Sequence, residues 1–465
     1  MIADLKPYAE YKESGLPWLG RVPEHWEVQR LKNWVTINRH NLGEDTPADL
    51  EFDYLDIGSV TTGRLAKRPV RLRFVDAPSR ARRVLQSGDT IVSTVRTYLK
   101  AVLTVNECGQ PLVASTGFAV LSPRADTTPR CLGYVAQSEA FTNQVTAESV
   151  GIAYPAISET RLGNIAVTLP PPSEQAASVR FLDWANGRLE RAIRAKRKVI
   201  ALLNEQKQAI IHRAVTRGLY PSVPLKPSGI HWLGDIPQHW EVRKLRQLLS
   251  RVTERNRPDL PLLSVVREKG VIERDTEDRD GNHNFIPEDL SNYKVVRCGQ
   301  FAMNKMKAWQ GSYGVSQFDG IVSPAYFVFD LREVSGAFFH TAIRSKAYVP
   351  FFTQASDGVR VGQWDLAESR MKEISFFFPS ATEQLAIVES VTGATTGISV
   401  AISRLEREIE LLREYRTRLV ADVVTGKLDV CEAALRLPDE APLDSVEDDA
   451  DLGDETEAAD EEAPV

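Results

Sequence analysis

Apolar residues fall into two kinds of pattern along the chain. Over 173–217, Val179, Leu182, Leu189, Ile193, Ile200, Leu203, Ile210 and Ala214 sit on a ladder of three- and four-residue steps. Over 381–430 a matching ladder carries Val388, Val391, Ile398, Ile402, Leu405, Ile409, Leu412, Leu419 and Val423. This spacing predicts two long helices, each with a narrow apolar seam that needs a partner helix. Prolines at 170–172 and 379 precede the ladders, and Gly218 and Gly426 sit where each helix should stop. About 44 residues at ~1.5 Å each give a length of ~65 Å. Asn186, Lys196 and Lys207 interrupt the first seam, Thr395 and Arg416 the second, and Gly187, Gly393 and Gly397 are expected to kink or split a helix. Elsewhere short β-branched and aromatic runs between turn residues, such as TIVSTVRTYLKAVLTV and FDGIVSPAYFVFDL, predict strands of a mixed α/β globule.

These elements occur twice. Residues 14–31 (SGLPWLGRVPEHWEVQRL) and 228–245 (SGIHWLGDIPQHWEVRKL) agree at eleven of eighteen positions, including Trp18/Trp232, His25/His239 and Trp26/Trp240. Glu174-Gln175 at the head of the first ladder returns as Glu383-Gln384 at the head of the second. A repeat of this kind places its copies most simply about a pseudo-two-fold axis. The two helices then pair antiparallel, with a globule at each end of a rod. The competing arrangement packs each helix on its own globule.

The 465 residues are 43% hydrophobic and 26% charged, ordinary for a globular protein with a real core. The net charge of −6 conceals a division. From Pro438 onward there are thirteen acids and no Lys or Arg, so 50 of the 63 acids face all 57 bases in residues 1–437, a net of +7. The segment 431–465 is expected to be an acidic, disordered tail, either solubilising or a decoy for a polyanion. No apolar run approaches the ~20 residues of a membrane span, and no secretory signal is read at the N-terminus. Cys108, Cys131, Cys298 and Cys431 are scattered singly, which fits a reduced, cytoplasmic setting.

Catalytic signatures are missing from the sequence. It contains no phosphate-cradling Gly-x-x-x-x-Gly-Lys-Ser/Thr, no Asn/Asp-Pro-Pro-Tyr and no Gly-x-Ser-x-Gly. Pro258-Asp259 with Glu268-Lys269 only faintly suggests a metal nuclease, and His25 and His239 read as packing residues beside tryptophans. Groups suited to a polyanion are plentiful. Arg68, Arg71 and Arg73 cluster, with RLRF putting the last two on one strand face. VRTYLK sets Arg96, Tyr98 and Lys100 two apart, as on a strand. In the second globule NKMKAWQGSYG supplies Lys305, Lys307, Trp309 and Gln310, and DGVRVGQWD supplies Arg360, Gln363 and Trp364. Such cations neutralise phosphates, and Arg and Gln pair with base edges.

The twin W-L-G-x-x-P-x-H-W motifs, the Glu-Gln helix openings after proline, and the endings Val215-Thr216 and Val424-Thr425 resemble the specificity subunit of type I restriction–modification enzymes, from about residue 12 to 430. The resemblance implies an α+β fold with two mixed α/β target-recognition domains separated by an antiparallel coiled coil in a pseudo-two-fold repeat. The domains implied are 1–172, with the first recognition domain; 173–217, the first helix; 218–380, with the second recognition domain; and 381–430, the second helix. It further implies a non-catalytic subunit that reads a bipartite double-stranded DNA target. Its partners would be two modification (methyltransferase) subunits and the restriction (translocase/nuclease) subunits. S-adenosylmethionine, ATP and Mg2+ would sit on those partners, with no cofactor or metal in this chain and no membrane. Two alternatives stay open from the residues: a scaffold whose globules bind protein, and a nicking nuclease.

Overall fold

A computed structural model describes residues 5–106, 110–151, 154–231, 233–267, 269–274, 286–287, 289–358 and 364–438. Helix α1 spans Pro172–Arg217 and α2 spans Ala381–Val424. Proline at the first position and an acid in the first turn suit the start of α1, where N–H groups lack partners and the dipole is positive. Gly218 and Gly426 follow the helix ends with φ of 68° and 75°, a conformation that side chains resist. The glycines at 187, 393 and 397 do not split either helix. By length and composition α2 is apolar enough to cross a membrane, an 18-residue window reaching a mean hydropathy of 1.5. Threonine, serine and glycine fill much of that stretch, so few charges rather than many large apolar side chains set the value.

The chain forms two compact units, 1–195 with 407–448 and 196–406. The division cuts both long helices instead of setting them apart from the globules, because the helix ends belong to the globular cores. In the first unit Phe181, Leu182 and Ala185 of α1 share a core with Leu419, Val420 and Val423 of α2. Further along α1, Glu190 pairs with Arg416 at 3.3 Å. Later positions on α1 thus meet earlier ones on α2, and the helices run antiparallel. In the second unit Ala214 and Val215 share a core with Ile387 and Val391, while Lys207 Nζ donates to Ser399 Oγ at 2.9 Å, again antiparallel. The seam residues turn inward. Leu189, Ile193, Ile402, Ile409 and Leu419 are buried, and Ile200, Leu203, Ile210, Ile398, Leu405 and Leu412 half-buried. Two of the polar interruptions, Lys207 and Arg416, make the cross-helix bonds just described.

The lead-in motifs anchor these helices. Trp26, fully buried, donates from Nε1 to Glu174 at 3.0 Å, and His25 Nε2 lies 2.6 Å from the same carboxylate. In the second unit Trp240 and His239 hold Glu383 at 3.0 and 2.9 Å. The neighbouring glutamines are buried and cap other chain segments. Gln175 accepts from the Thr128 N–H and donates to the carbonyls of Asp126 and Pro170. Gln384 accepts from Ser335 and donates to Pro379. The repeat is therefore a framework device, a carboxylate and an amide at each helix head.

Each unit builds a four-stranded sheet on that frame. In the first, strands Thr90–Ser93 (β1) and Val102–Thr104 (β2) form a hairpin flanked by Phe118–Pro123 and Val35–Ile37. In the second, Phe301–Met303 (β3) and Tyr313–Val315 (β4) form the hairpin, flanked by Phe327–Leu331 and Leu249–Val252. Beside it the first unit has a second four-stranded sheet, which includes a parallel pair, 112–115 with 51–55. The second unit has separate two-stranded pairs there, 263–266 with 270–273 and 294–296 with 320–322.

Two boundaries differ from the sequence expectation. α2 ends at Val424 rather than near 430, because Gly426 packs where any side chain would meet Pro23 and Trp26; its Cβ would lie 2.3 Å from Pro23 Cδ. Residues 431–438, expected to belong to a disordered tail, instead fold onto the first unit. Helix Cys431–Leu435 buries Ala434, Val430 and Leu437 join the core, and Arg180 donates to the Leu437 carbonyl at 2.9 Å. Apolar residues run to Leu437 with one acid, Glu432, among them, and the dense run of acids begins only at Asp439. Residues 439–465 lie outside the described residues.

Candidate nucleic-acid interface

The candidates picked from VRTYLK and NKMKAWQGSYG sit on the same structural element of each unit, the tip of hairpin β1–β2 and the tip of β3–β4. The first tip is not a strand face. Residues Thr97–Leu99 form one 3-10 turn, with Arg96 and Lys100 on either side at φ of 51° and 48°. The two-residue spacing of Arg96, Tyr98 and Lys100 therefore does not put them on one strand face; the chain turns between them. The turn is held from outside itself. The Arg96 N–H donates to the Pro155 carbonyl at 2.8 Å, and Thr62 Oγ1 donates to the Lys100 carbonyl at 2.7 Å. The Arg96 guanidinium lies 5.1 Å over the ring of Tyr154, which is exposed.

The second tip is built alike. Ala308–Gln310 form a 3-10 turn closed by Gly311 at φ 99°. Trp309 and Trp364 lie 5.2 Å apart, and Lys305 pairs with Asp365 at 2.8 Å. The segment that supports the tip enters from the same direction of the chain in both units. It follows the helix after the sheet, Tyr154–Pro155 in the first case and Trp364–Leu366 in the second, where the Leu366 N–H donates to the Lys305 carbonyl. Lys307 and Gln310 are half-buried on this tip. Arg360 and Gln363 lie outside the described residues.

The other basic candidates are differently placed. Arg71 and Arg73 do share a face of strand Val70–Arg73, but their charges are already answered. Arg71 reaches Glu51 and Asp53 at 3.2 and 3.4 Å, and Arg73 reaches Asp76 at 2.8 Å. Arg68 is exposed in the loop before that strand. In the second unit a cationic group emerges that no short motif announces. Lys294 is buried, donates to the Tyr326 carbonyl at 2.5 Å, and is held below the usual lysine pKa by burial and by Arg251, Arg255 and Lys305. Its members come from three separate stretches of sequence, so only the fold gathers them. Leu99, Tyr154 and Met306, exposed at or beside the tips, were also missed because apolar residues carry no charge signal.

Among the described residues no group of three or more His, Cys, Asp or Glu side chains is placed to hold a metal ion. Asp259, of the faint nuclease fragment, is bound by Arg257 at 2.8 and 2.7 Å, which holds its carboxyl down at about 2; Glu268 lies outside the described residues.

Residues 23–197 match the model of the family described as type I restriction modification DNA specificity domain. The type I restriction enzyme MjaVIII specificity subunit of Methanocaldococcus jannaschii is 30% identical over 104 residues, 22% of this chain and 23% of that one. The MjaIX specificity subunit of the same organism is 22% identical over 274 residues, 54% of this chain and 56% of that one. The chain spans about half or less of the length of the relatives it matches. A chain solved in work on complex assembly and conformational transition of the type I R-M system is 19% identical. It superposes with a TM-score of 0.59 over 88% of this chain and 99% of that one, a likeness of fold.

Proposed function

We infer that this chain, which carries the type I restriction–modification DNA specificity domain over residues 23–197, is the sequence-reading, non-catalytic subunit of such a complex. The observation that carries the reading is the equivalent hairpin in both units, each presenting cations and aromatics on a braced tip. Cations anchor the backbone of a duplex, and side chains on a fixed tip reach base edges in a groove. Two such tips with different residues read two different half-sites. The antiparallel helices then act as a coiled coil that sets the spacing between them. Half-sites read from one side of B-DNA lie about one turn apart, ~34 Å, or multiples of it.

Docking of modification subunits falls to the outer faces of the helices. Val199, Leu202 and Val400 in the second unit and Leu411 in the first are large, apolar and exposed there. Restriction subunits join that core, and methyl donor, ATP and Mg2+ belong to these partners in the intracellular complex.

Selection of duplexes from a random pool with the full chain, at graded salt, tests the reading. Two enriched half-sites with a fixed spacer, and affinity falling steeply in log–log salt plots, are expected. Tyr98→Ala should relax one half-site and Trp364→Ala the other. Adding a heptad to both helices should lengthen the spacer and leave both half-sites unchanged. Salt-insensitive binding with no enriched sequence would overturn it.

A further inference from the structure

We propose that each hairpin tip carries an apolar wedge that enters the duplex between neighbouring bases, Tyr98 with Leu99 in the first unit and Met306 in the second. The proposal rests on the reading of the units as DNA readers and assigns these residues a part of the specificity that hydrogen bonding does not supply.

Tyr98 and Leu99 are 54% and 48% exposed, on a turn too short and too constrained to fold them back. Both flanking residues, neither of them glycine, hold a left-handed backbone. Such a conformation is unfavourable and persists only where surrounding contacts impose it. Here they do: besides the bonds from Arg96 to Pro155 and from Thr62 to Lys100, Thr97 Oγ1 bonds Ser149 Oγ at 2.8 Å. The fold thus holds two large apolar side chains out in water on a rigid support.

Met306 lies on the corresponding hairpin, just before its 3-10 turn rather than on it. It is 39% exposed between Lys305 and Lys307, and its N–H is fixed by the Oδ1 of buried Asn304 at 3.1 Å. In both units the apolar tip is bracketed by two cations, Arg96 and Lys100 in one and Lys307 and the Asp365-paired Lys305 in the other. An apolar protein surface would gain nothing from that bracket, whereas a duplex offers phosphates on either side of a stacked, apolar interior. Side chains such as Leu and Met that insert between base steps unstack and kink the duplex. Pyrimidine–purine steps yield most easily, so the wedge selects a step it need not hydrogen-bond.

The test uses the full chain and duplexes enriched on it, with 2-aminopurine substituted in turn at each adenine position, since its fluorescence rises when it unstacks. A several-fold rise is expected at one step in each half-site. Tyr98→Ala with Leu99→Ala should abolish one rise and Met306→Ala the other, with thermal unfolding unchanged because these side chains are exposed. The salt slope should stay constant in these variants and fall by about one for Arg96→Ala or Lys100→Ala. Sequence-selective binding with no rise anywhere, or rises that survive all three truncations, would overturn the wedge and leave DNA reading intact. No sequence-selective binding at all would remove the reading itself, and the wedge with it.

Discussion

The two units share a clamp and a braced hairpin but not the structure beside them. At the clamp, a carboxylate held by Trp and His and a buried glutamine recur nearly atom for atom, and the lead-in residues that make it are those that agree in sequence. Beside the hairpin, a four-stranded sheet with a parallel pair in one unit stands where the other has two antiparallel pairs linked only by a single parallel bridge, Leu262 to Ile321. The first unit's tip uses Tyr154 over Arg96, the second's a pair of tryptophans. Residues that fix a helix head are constrained by several simultaneous bonds, while residues facing a ligand need only suit that ligand. The divergence is what two readers of unlike sequences would show.

Removing the clamp should break this parallel most severely. Trp26→Ala and Trp240→Ala each delete a fully buried ring, and each should cost about 3–5 kcal/mol. Hydrogen exchange read unit by unit should show protection lost in the first unit for one variant and in the second for the other; equal loss in both would mean the clamps are not separate.

Acid should separate the units next. In the second, His340 accepts the Val315 N–H at Nδ1, and burial beside Arg344 pushes its pKa down to about 4. The folded state disfavours the proton, so the contribution is present above about 6.5 and lost as pH falls towards 4. Its size is roughly 3 kcal/mol at ~1.4 kcal/mol per pH unit. Urea unfolding of the second unit between pH 7 and 4 should carry this loss, and His340→Gln should flatten it.

A finer asymmetry lies within the clamp. Glu174 also accepts from the Tyr8 hydroxyl at 2.9 Å, a third donor in addition to the Trp and His seen at Glu383. Tyr8→Phe should destabilise the first unit by ~1 kcal/mol, the usual net worth of one hydrogen bond. Calorimetry showing no change would place that hydroxyl equally well in water. Smallest of all should be Arg416→Ala. Its partner Glu190 and the arginine itself are both about two-fifths exposed, and such pairs contribute ~0–1 kcal/mol, screened by salt.

The helices were legible from their seams because a 3.5-residue period reports burial directly. Glu174, Gln175 and their twins were legible as a repeat, though their bonding was not. The charged candidates read less well. Arg71 and Arg73 look available in sequence, yet Glu51, Asp53 and Asp76 meet them across a strand register that charge counts cannot reveal. Arg96 and Lys100 read as strand positions because their left-handed backbone is imposed by Pro155 and Thr62, distant in the chain. The end of α2 was legible from Gly426, and it is the bound near 430 implied by the resemblance that overruns the helix.

The first unit's core joins Leu182 to Val423, so it cannot close until the intervening residues, most of the second unit among them, have been made. The described residues of the second unit end at position 406. Domains usually complete themselves in the order they are synthesised. Here the unit that begins first closes its core after the other, and until then its apolar floor lies open.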